Sequence, residues 1–183
     1  MGDSMSSIVV SGDTSGAITL AAPAVSGTNT LTLPALTGTI LTTATAGTVL
    51  QVVNTTYATF SSTSSSTYTD SGLTLSITPK SATSKILIII SANDVLKVSS
   101  DTYAGLRLVR NSTTILTFAG GASYTQSSAT NTTGASCNYL DSPATTSATT
   151  YKLQYNSQNN TGTVQFNSSG ATSAMITLME VAV

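Results

Sequence analysis

Residues 73–92 read LTLSITPKSATSKILIIISA, and this stretch decides the fold class. Its first part, Leu73–Thr78, alternates apolar and hydroxyl side chains, which predicts a half-buried β-strand. Pro79 ends that strand, because proline cannot donate to a sheet ladder. The second part, Lys85–Ala92, is dominated by an unbroken apolar run and predicts a strand buried on both faces. Two strands joined by a short turn indicate a protein built from sheets.

The same signals recur along the rest of the chain. Segments rich in β-branched residues alternate with clusters of Gly, Asn and Ser, and no segment has a convincing helical period. Phe60–Thr69 is predicted to be a hydroxyl-rich loop. Further strands are predicted at Val49–Tyr57, Leu106–Arg110, Ile115–Phe118, Ser136–Leu140, Thr150–Tyr155, Val164–Asn167 and Ala174–Val183. Many short strands with polar turns predict an all-β sandwich, jelly roll or barrel.

The composition excludes several classes of protein. Charged residues make up only 7% of the 183 residues, whereas hydrophobic residues make up 40% and can form a core. The net charge of −1 leaves no basic stripe for nucleic acid, and no apolar run is long enough for a membrane helix. The start, MGDSMSSIVV, lacks the pattern of a secretory signal, so synthesis in a reducing cytoplasm is expected.

The sequence offers few groups for catalysis or for metal binding. Histidine is absent, which excludes Ser-His-Asp and Cys-His catalysis, and the single Cys137 excludes an intrachain disulfide. Asp94 and Asp101 are the best candidates for a pair of catalytic carboxylates or, with Asn93, for a calcium site. The favoured interpretation is that they flank a solvated loop. The sequence therefore predicts no enzyme, no metal and no cofactor.

The first 45 residues contain nearly the same phrase twice. Residues 17–28 read AITLAAPAVSGT, and residues 30–39 read TLTLPALTGT. Short strands are predicted at Ile8–Val10, Ile18–Leu20 and Leu31–Leu33, and such a ribbon is too small to be stable alone. We therefore expect residues 1–45 to be an attachment ribbon or stem and residues 46–183 to be a head domain. The predicted attachment residues are Ile18, Leu20, Pro23, Leu31, Leu33, Pro34 and Ile40.

A second surface is predicted within the head. Ala119–Gly134 is the longest turn-rich stretch, rich in Gly, Ser and Thr, and is typical of an adaptable binding loop. Its candidate binding residues are Tyr124, Gln126 and Asn131. Arg107 is predicted to be an outward strand residue, with an inter-subunit ion pair or a contact to an anionic glycan as the alternative.

Several phrases resemble those of bacteriophage tail-fibre-like virion proteins, notably from cyanophages and other marine phages. The ribbon carries SGDTSGAITLAAPAVSGTNTLTLPALTGTILT, and the head carries AGTVLQVVNTTY, TDSGLTLSITPKSATSKILIII, AGLRLVRNSTTIL, NYLDSPATTSATTYKLQY and ITLMEV. The resemblance covers most of the chain and brings no catalytic motif. It implies a homotrimer with a jelly-roll-like β-sandwich head on a short β-structured stem.

Three functions follow from these expectations. The first is a short trimeric tail fibre on the virion surface, joined to tail, baseplate or capsid proteins by its ribbon and exposing loops to a host glycan or protein. The second is a capsid decoration or cement protein, or a head fibre, that stabilises the shell. The third and weakest is a spike that depolymerises polysaccharide.

Overall fold

The computed structural model describes residues 7–11, 15, 17–21, 45–159, 162–170 and 174–183. The chain divides into two compact units, Met1–Ile40 and Leu41–Val183. In the first unit, β1 (Ser7–Ser11) pairs antiparallel with β2 (Ala17–Ala21). The first two predicted ribbon strands are therefore present. The third lies outside the described residues, and the division of roles at residue 45 stays a prediction.

The described part of the second unit contains ten strands, and every pairing among them is antiparallel. They are β3 (Val49–Tyr57), β4 (Ser61–Thr63), β5 (Thr69–Ile77), β6 (Lys85–Lys97), β7 (Thr102–Arg110), β8 (Thr113–Thr125), β9 (Asn131–Asp141), β10 (Thr149–Gln158), β11 (Val164–Phe166) and β12 (Ala174–Val181). The predicted loop Phe60–Thr69 is thus wrong in part, because β4 forms within it by pairing with β11.

The strands form two sheets. The front sheet has the order β3-β12-β6-β9, and the short β11 and β4 continue it beside the C-terminal end of β6. The back sheet has the order β5-β10-β7-β8. Apart from β4 and β11, the strands are distributed between the two sheets as in a jelly roll. The predicted all-β, jelly-roll-like sandwich is confirmed.

The core lies between the two sheets. Ile86, Ile88 and Ile90 of β6 are fully buried there and face side chains of the back sheet such as Leu106 and Leu153. The intervening residues of β6 are only half-buried, because they point to the outer face. The prediction that this strand is buried on both faces is therefore wrong for the single chain. An antiparallel sandwich covers only one face of each sheet.

A bulge in β5 requires a glycine. The register between β5 and β10 shifts near Gly72, whose φ is +91°. The ring of Tyr57 packs so closely on Gly72 that an added Cβ would lie 2.2 Å from its Cζ atom. Gly72 thus meets two demands, a left-handed backbone and the close approach of β3 to β5.

Glu180 anchors the crossing from β5 in the back sheet to β6 in the front sheet. Its side chain is fully buried. The carboxylate accepts hydrogen bonds from Gln51 Nε2 at 2.6 Å, the Lys80 backbone N–H at 2.7 Å and the Ser81 backbone N–H at 3.4 Å. These donors satisfy the buried charge. The Glu180 carboxylate therefore connects β12 to β3 and to the crossing loop.

Candidate functional site

Lys97 organises one end of the head. It is the last residue of β6, and its side chain is fully buried. The ammonium group donates to the carbonyl oxygens of Ser99 at 3.2 Å, Thr125 at 3.4 Å and Ser127. A buried cation requires such compensation. Lys97 therefore holds the connection after β6 and the connection after β8 in one fixed frame, which we call the Lys97 end.

An exposed tyrosine stands at the Lys97 end. Tyr124 is 45% exposed, and its ring meets the ring of Tyr103 edge-on at 5.8 Å between centroids. The Tyr124 hydroxyl donates to Asp101 Oδ1 at 3.3 Å. The backbone carbonyl of Asp101 also accepts from Asn159 Nδ2 at 3.2 Å. An aromatic ring with a fixed orientation and polar neighbours is suited to contact a sugar or a protein surface.

The three predicted contact residues lie close together in sequence at this end, but they do not form one long loop. Tyr124 belongs to β8, Gln126 begins the connection over residues 126–130, and Asn131 begins β9, where it pairs with Lys97. The interpretation of Ala119–Gly134 as a loop is wrong in part, because only residues 126–130 lie outside the strands. β8 continues as far as Thr125 because register shifts against β7 absorb the irregular backbone.

Sequence reasoning missed two contributors to this end, Lys97 and Asn159. A lysine in the segment VLKVSS gives no sign that its amine turns inward, so no local pattern identifies it. Asn159 has a positive φ of 68°, which asparagine tolerates better than most residues, but this is visible only in the structure.

Asp94 and Asp101 have different environments, because Asp101 is exposed whereas Asp94 is not. Asp94 is buried, and its carboxylate accepts hydrogen bonds from the Ser168 hydroxyl at 3.1 Å and from the Ser169 backbone N–H at 2.9 Å. The expectation that it flanks a solvated loop is wrong, because it caps the turn after β11. Within the described ranges, no group of three Asp, Glu, Cys or His side chains is placed to hold a metal ion.

Arg107 lies on the outer face of the back sheet within a polar network. Its Nε donates to Gln154 Oε1 at 2.8 Å, and its guanidinium lies 4.2 Å from the ring centre of Tyr68. Beside it, Lys152 forms an ion pair with Asp70 at 2.8 Å. Burial would raise the pKa of Asp70, but hydrogen bonds from Lys152 and Gln154 outweigh it and lower the pKa. The predicted outward position of Arg107 agrees with this half-exposed network.

The predicted attachment residues lie in the first unit. Ile18 pairs with Val10, and Leu20 pairs with Ile8, in the β1–β2 hairpin. The other predicted attachment residues, namely Pro23, Leu31, Leu33, Pro34 and Ile40, lie outside the described residues. The described part of the chain has no helix long and apolar enough to cross a membrane.

Comparisons with known proteins give little beyond the fold. No family of known proteins matches the sequence, and no curated protein matches it significantly. Among solved structures, the chain is similar to the VP2 subviral particle of infectious bursal disease virus, with a TM-score of 0.37 and 13% identity over 82% of this chain. The match covers 43% of that protein, so the chain spans less than half its length. The two proteins therefore share at most a loosely similar fold.

Proposed function

We propose that this protein is a structural component of a bacteriophage virion, a short trimeric tail fibre. Residues 1–45 attach it to tail, baseplate or capsid proteins, and the jelly-roll head presents its Lys97 end to the host surface. The observation that carries the proposal is the exposed Tyr124 ring on a frame fixed by the buried Lys97. A preorganised aromatic contact loses little conformational entropy when it binds a glycan or a protein.

Two further features support this assignment. The phrases of the ribbon and of the head resemble tail-fibre-like virion proteins over most of the chain. The hairpin of the first unit is a small element that gains stability when it pairs with a larger protein surface. The proposal includes no catalytic step, and incubation with host polysaccharide should release no cleavage products.

Deletion of residues 1–45 tests the attachment role. We expect a folded, β-rich head by circular dichroism that no longer incorporates into virions. A truncated head that still joins particles would place the anchor elsewhere, and one that does not fold would make the ribbon part of the head's core. The number of copies per particle tests the tail location, because hundreds of copies would favour the capsid decoration protein instead.

Tyr124→Ala tests the host contact. The variant should assemble normally but adsorb to host cells more slowly. The control Val49→Ala removes an exposed apolar side chain at the start of β3, level with the other end of β6, and should adsorb like the wild type. Equal adsorption by both variants and the wild type would refute a contact through the Lys97 end.

A further inference from the structure

The outer face of the front sheet carries no charge over a wide area. β3, β12, β6 and β9 each turn three consecutive outward side chains toward this face, and none of them is acidic or basic. We call this surface the uncharged face; its residues are Val52, Asn54, Thr56, Met175, Thr177, Met179, Leu87, Ile89, Ser91, Ser136, Asn138 and Leu140.

The strand register aligns the apolar members into a row. Val52 lies opposite Met179, Met179 opposite Leu87, and Leu87 opposite Leu140, so the row crosses all four strands. Its two ends are the most open, since Val52 is 53% exposed and Leu140 is 51% exposed. The next row is mixed, with Ile89 between polar side chains. A contiguous apolar row on a polar background is typical of a protein interface.

The outer face of the back sheet is different. It carries the Asp70–Lys152 ion pair and the guanidinium of Arg107, as expected for a surface in water. On β6 the outward side chain that precedes the uncharged face is Lys85, which is the first residue of the strand and lies at the rim. The head thus has one outer face suited to solvent and one suited to burial.

We infer that the uncharged face packs against the same face of further copies of this chain around a three-fold axis. The inference rests on the trimer of the proposed function. Identical uncharged faces meet without like-charge repulsion and without removing charges from water. A partner with an ordinary charged surface would have to bury its charges against the apolar row, at a cost in free energy.

The uncharged face supplies about half of the area that a stable interface takes from one partner. Four strands about 4.8 Å apart and about six residues long span roughly 400 Å² in projection. A stable interface takes about 800 Å² of accessible surface from each partner. The face therefore forms the apolar centre of the contact around the three-fold axis, and the remaining buried area comes from surfaces beside it, such as the edge strand β3.

The test is the double variant Val52→Lys with Leu140→Lys in the full chain. The matched control is Thr74→Lys with Ser76→Lys, two exposed positions on the outer face of the back sheet. Light scattering should give the wild type and the control three times the chain mass of 18.5 kDa. The variant should give one chain mass, with an unchanged circular dichroism spectrum.

A folded variant that stays trimeric would overturn the uncharged face as the interface and leave the proposed trimer standing. A monomeric wild type would overturn both. If the lysine pair does not fold, Val52→Ser with Leu140→Ser replaces it. That pair should raise the protein concentration at which the trimer dissociates by at least about tenfold. This midpoint varies as the square root of the trimer's dissociation constant, so the change corresponds to about a hundredfold in that constant, or ~2.8 kcal/mol per trimer. An unchanged midpoint would refute the inference.

Discussion

Glu180→Gln tests whether one buried carboxylate holds the crossing between the two sheets. The substitution keeps the shape of the side chain but replaces one acceptor oxygen with a donor NH₂ group. That group then opposes either Gln51 Nε2 or the Lys80 backbone N–H, which both donate to the carboxylate at 2.6–2.7 Å. One donor then faces another donor whichever way the amide turns, and only the bond from Gln51 Nε2 to the Thr78 carbonyl, at 2.7 Å, is kept at that position.

The expected loss of stability follows from these contacts. A hydrogen bond to a charged group contributes about 1.5–3 kcal/mol, and the opposed donor adds about 1 kcal/mol, the low end of the usual penalty, because Gln51 keeps its bond to the Thr78 carbonyl. We therefore expect Glu180→Gln to lower the free energy of unfolding by about 2–4 kcal/mol. For a domain of this size, each kcal/mol lowers Tm by about 2–4 °C. The fall in Tm should be on the order of 10 °C, measured by circular dichroism at one protein concentration.

The pH dependence gives a second readout. Burial acts to raise the pKa of Glu180, but the hydrogen bonds from Gln51 and the backbone of Lys80 and Ser81 outweigh it and lower the pKa below its ordinary value. The stabilisation is therefore present above the unfolded pKa of about 4.3 and lost as the pH falls through the lower folded value. Wild-type Tm should fall more steeply in acid than that of Glu180→Gln.

The control is Asp70→Asn, which neutralises an exposed carboxylate paired with Lys152. An exposed ion pair contributes less than about 1 kcal/mol, so its Tm should change little at pH 7. The reasoning about Glu180 is refuted if Glu180→Gln melts as the control does, or if its Tm falls between pH 5 and pH 3 as steeply as that of the wild type.

Two further predictions concern the backbone and the thiol. Gly72→Ala should lower the free energy of unfolding by about 3 kcal/mol or more, because φ is +91° and the new Cβ overlaps the Tyr57 ring. The control Gly47→Ala has a similar φ of +83° but open space around it, so it should lower that free energy by only about 1 kcal/mol. Equal urea midpoints for the two variants would contradict the role of the ring. Burial raises the pKa of Cys137 to about 11. At pH 8 only ~0.1% of the Cys137 side chains are therefore thiolates, which are the form that reacts. Iodoacetamide should label the native protein about 100-fold more slowly than the unfolded chain. Equal labelling rates would show that the thiol is not shielded.

The sequence predicts strands best where side chains alternate or branch at Cβ. The predicted bounds of β3, Val49–Tyr57, agree with the structure, and the strand at Leu73–Thr78 lies within β5 apart from its last residue. The apolar pattern does not predict which side chains of a strand are buried when both faces of the strand are apolar. Leu87 and Ile89 are as apolar as the core residues with which they alternate, namely Ile86, Ile88 and Ile90. The sequence therefore cannot show that Leu87 and Ile89 point outward in a single chain.

The candidate site is harder to predict because tertiary pairing determines it. Gly120 and Gly121 suggest a turn, yet β8 runs through them because β7 supplies a partner strand. The place of Tyr124 in a turn-rich stretch predicts that it is exposed, and the structure confirms this exposure. The inward turn of Lys97 depends on carbonyl groups contributed by connections far apart in sequence, which no local pattern records.

The Lys97 end is held by main-chain groups, and this affects how freely its sequence can change. The ammonium binds carbonyl oxygens of residues 99, 125 and 127, which every amino acid possesses. Substitution of the side chains at these positions leaves those three acceptors in place. The end of the head can thus diversify its outward chemistry, as antibody loops do on a constant framework, while the backbone beneath keeps one conformation.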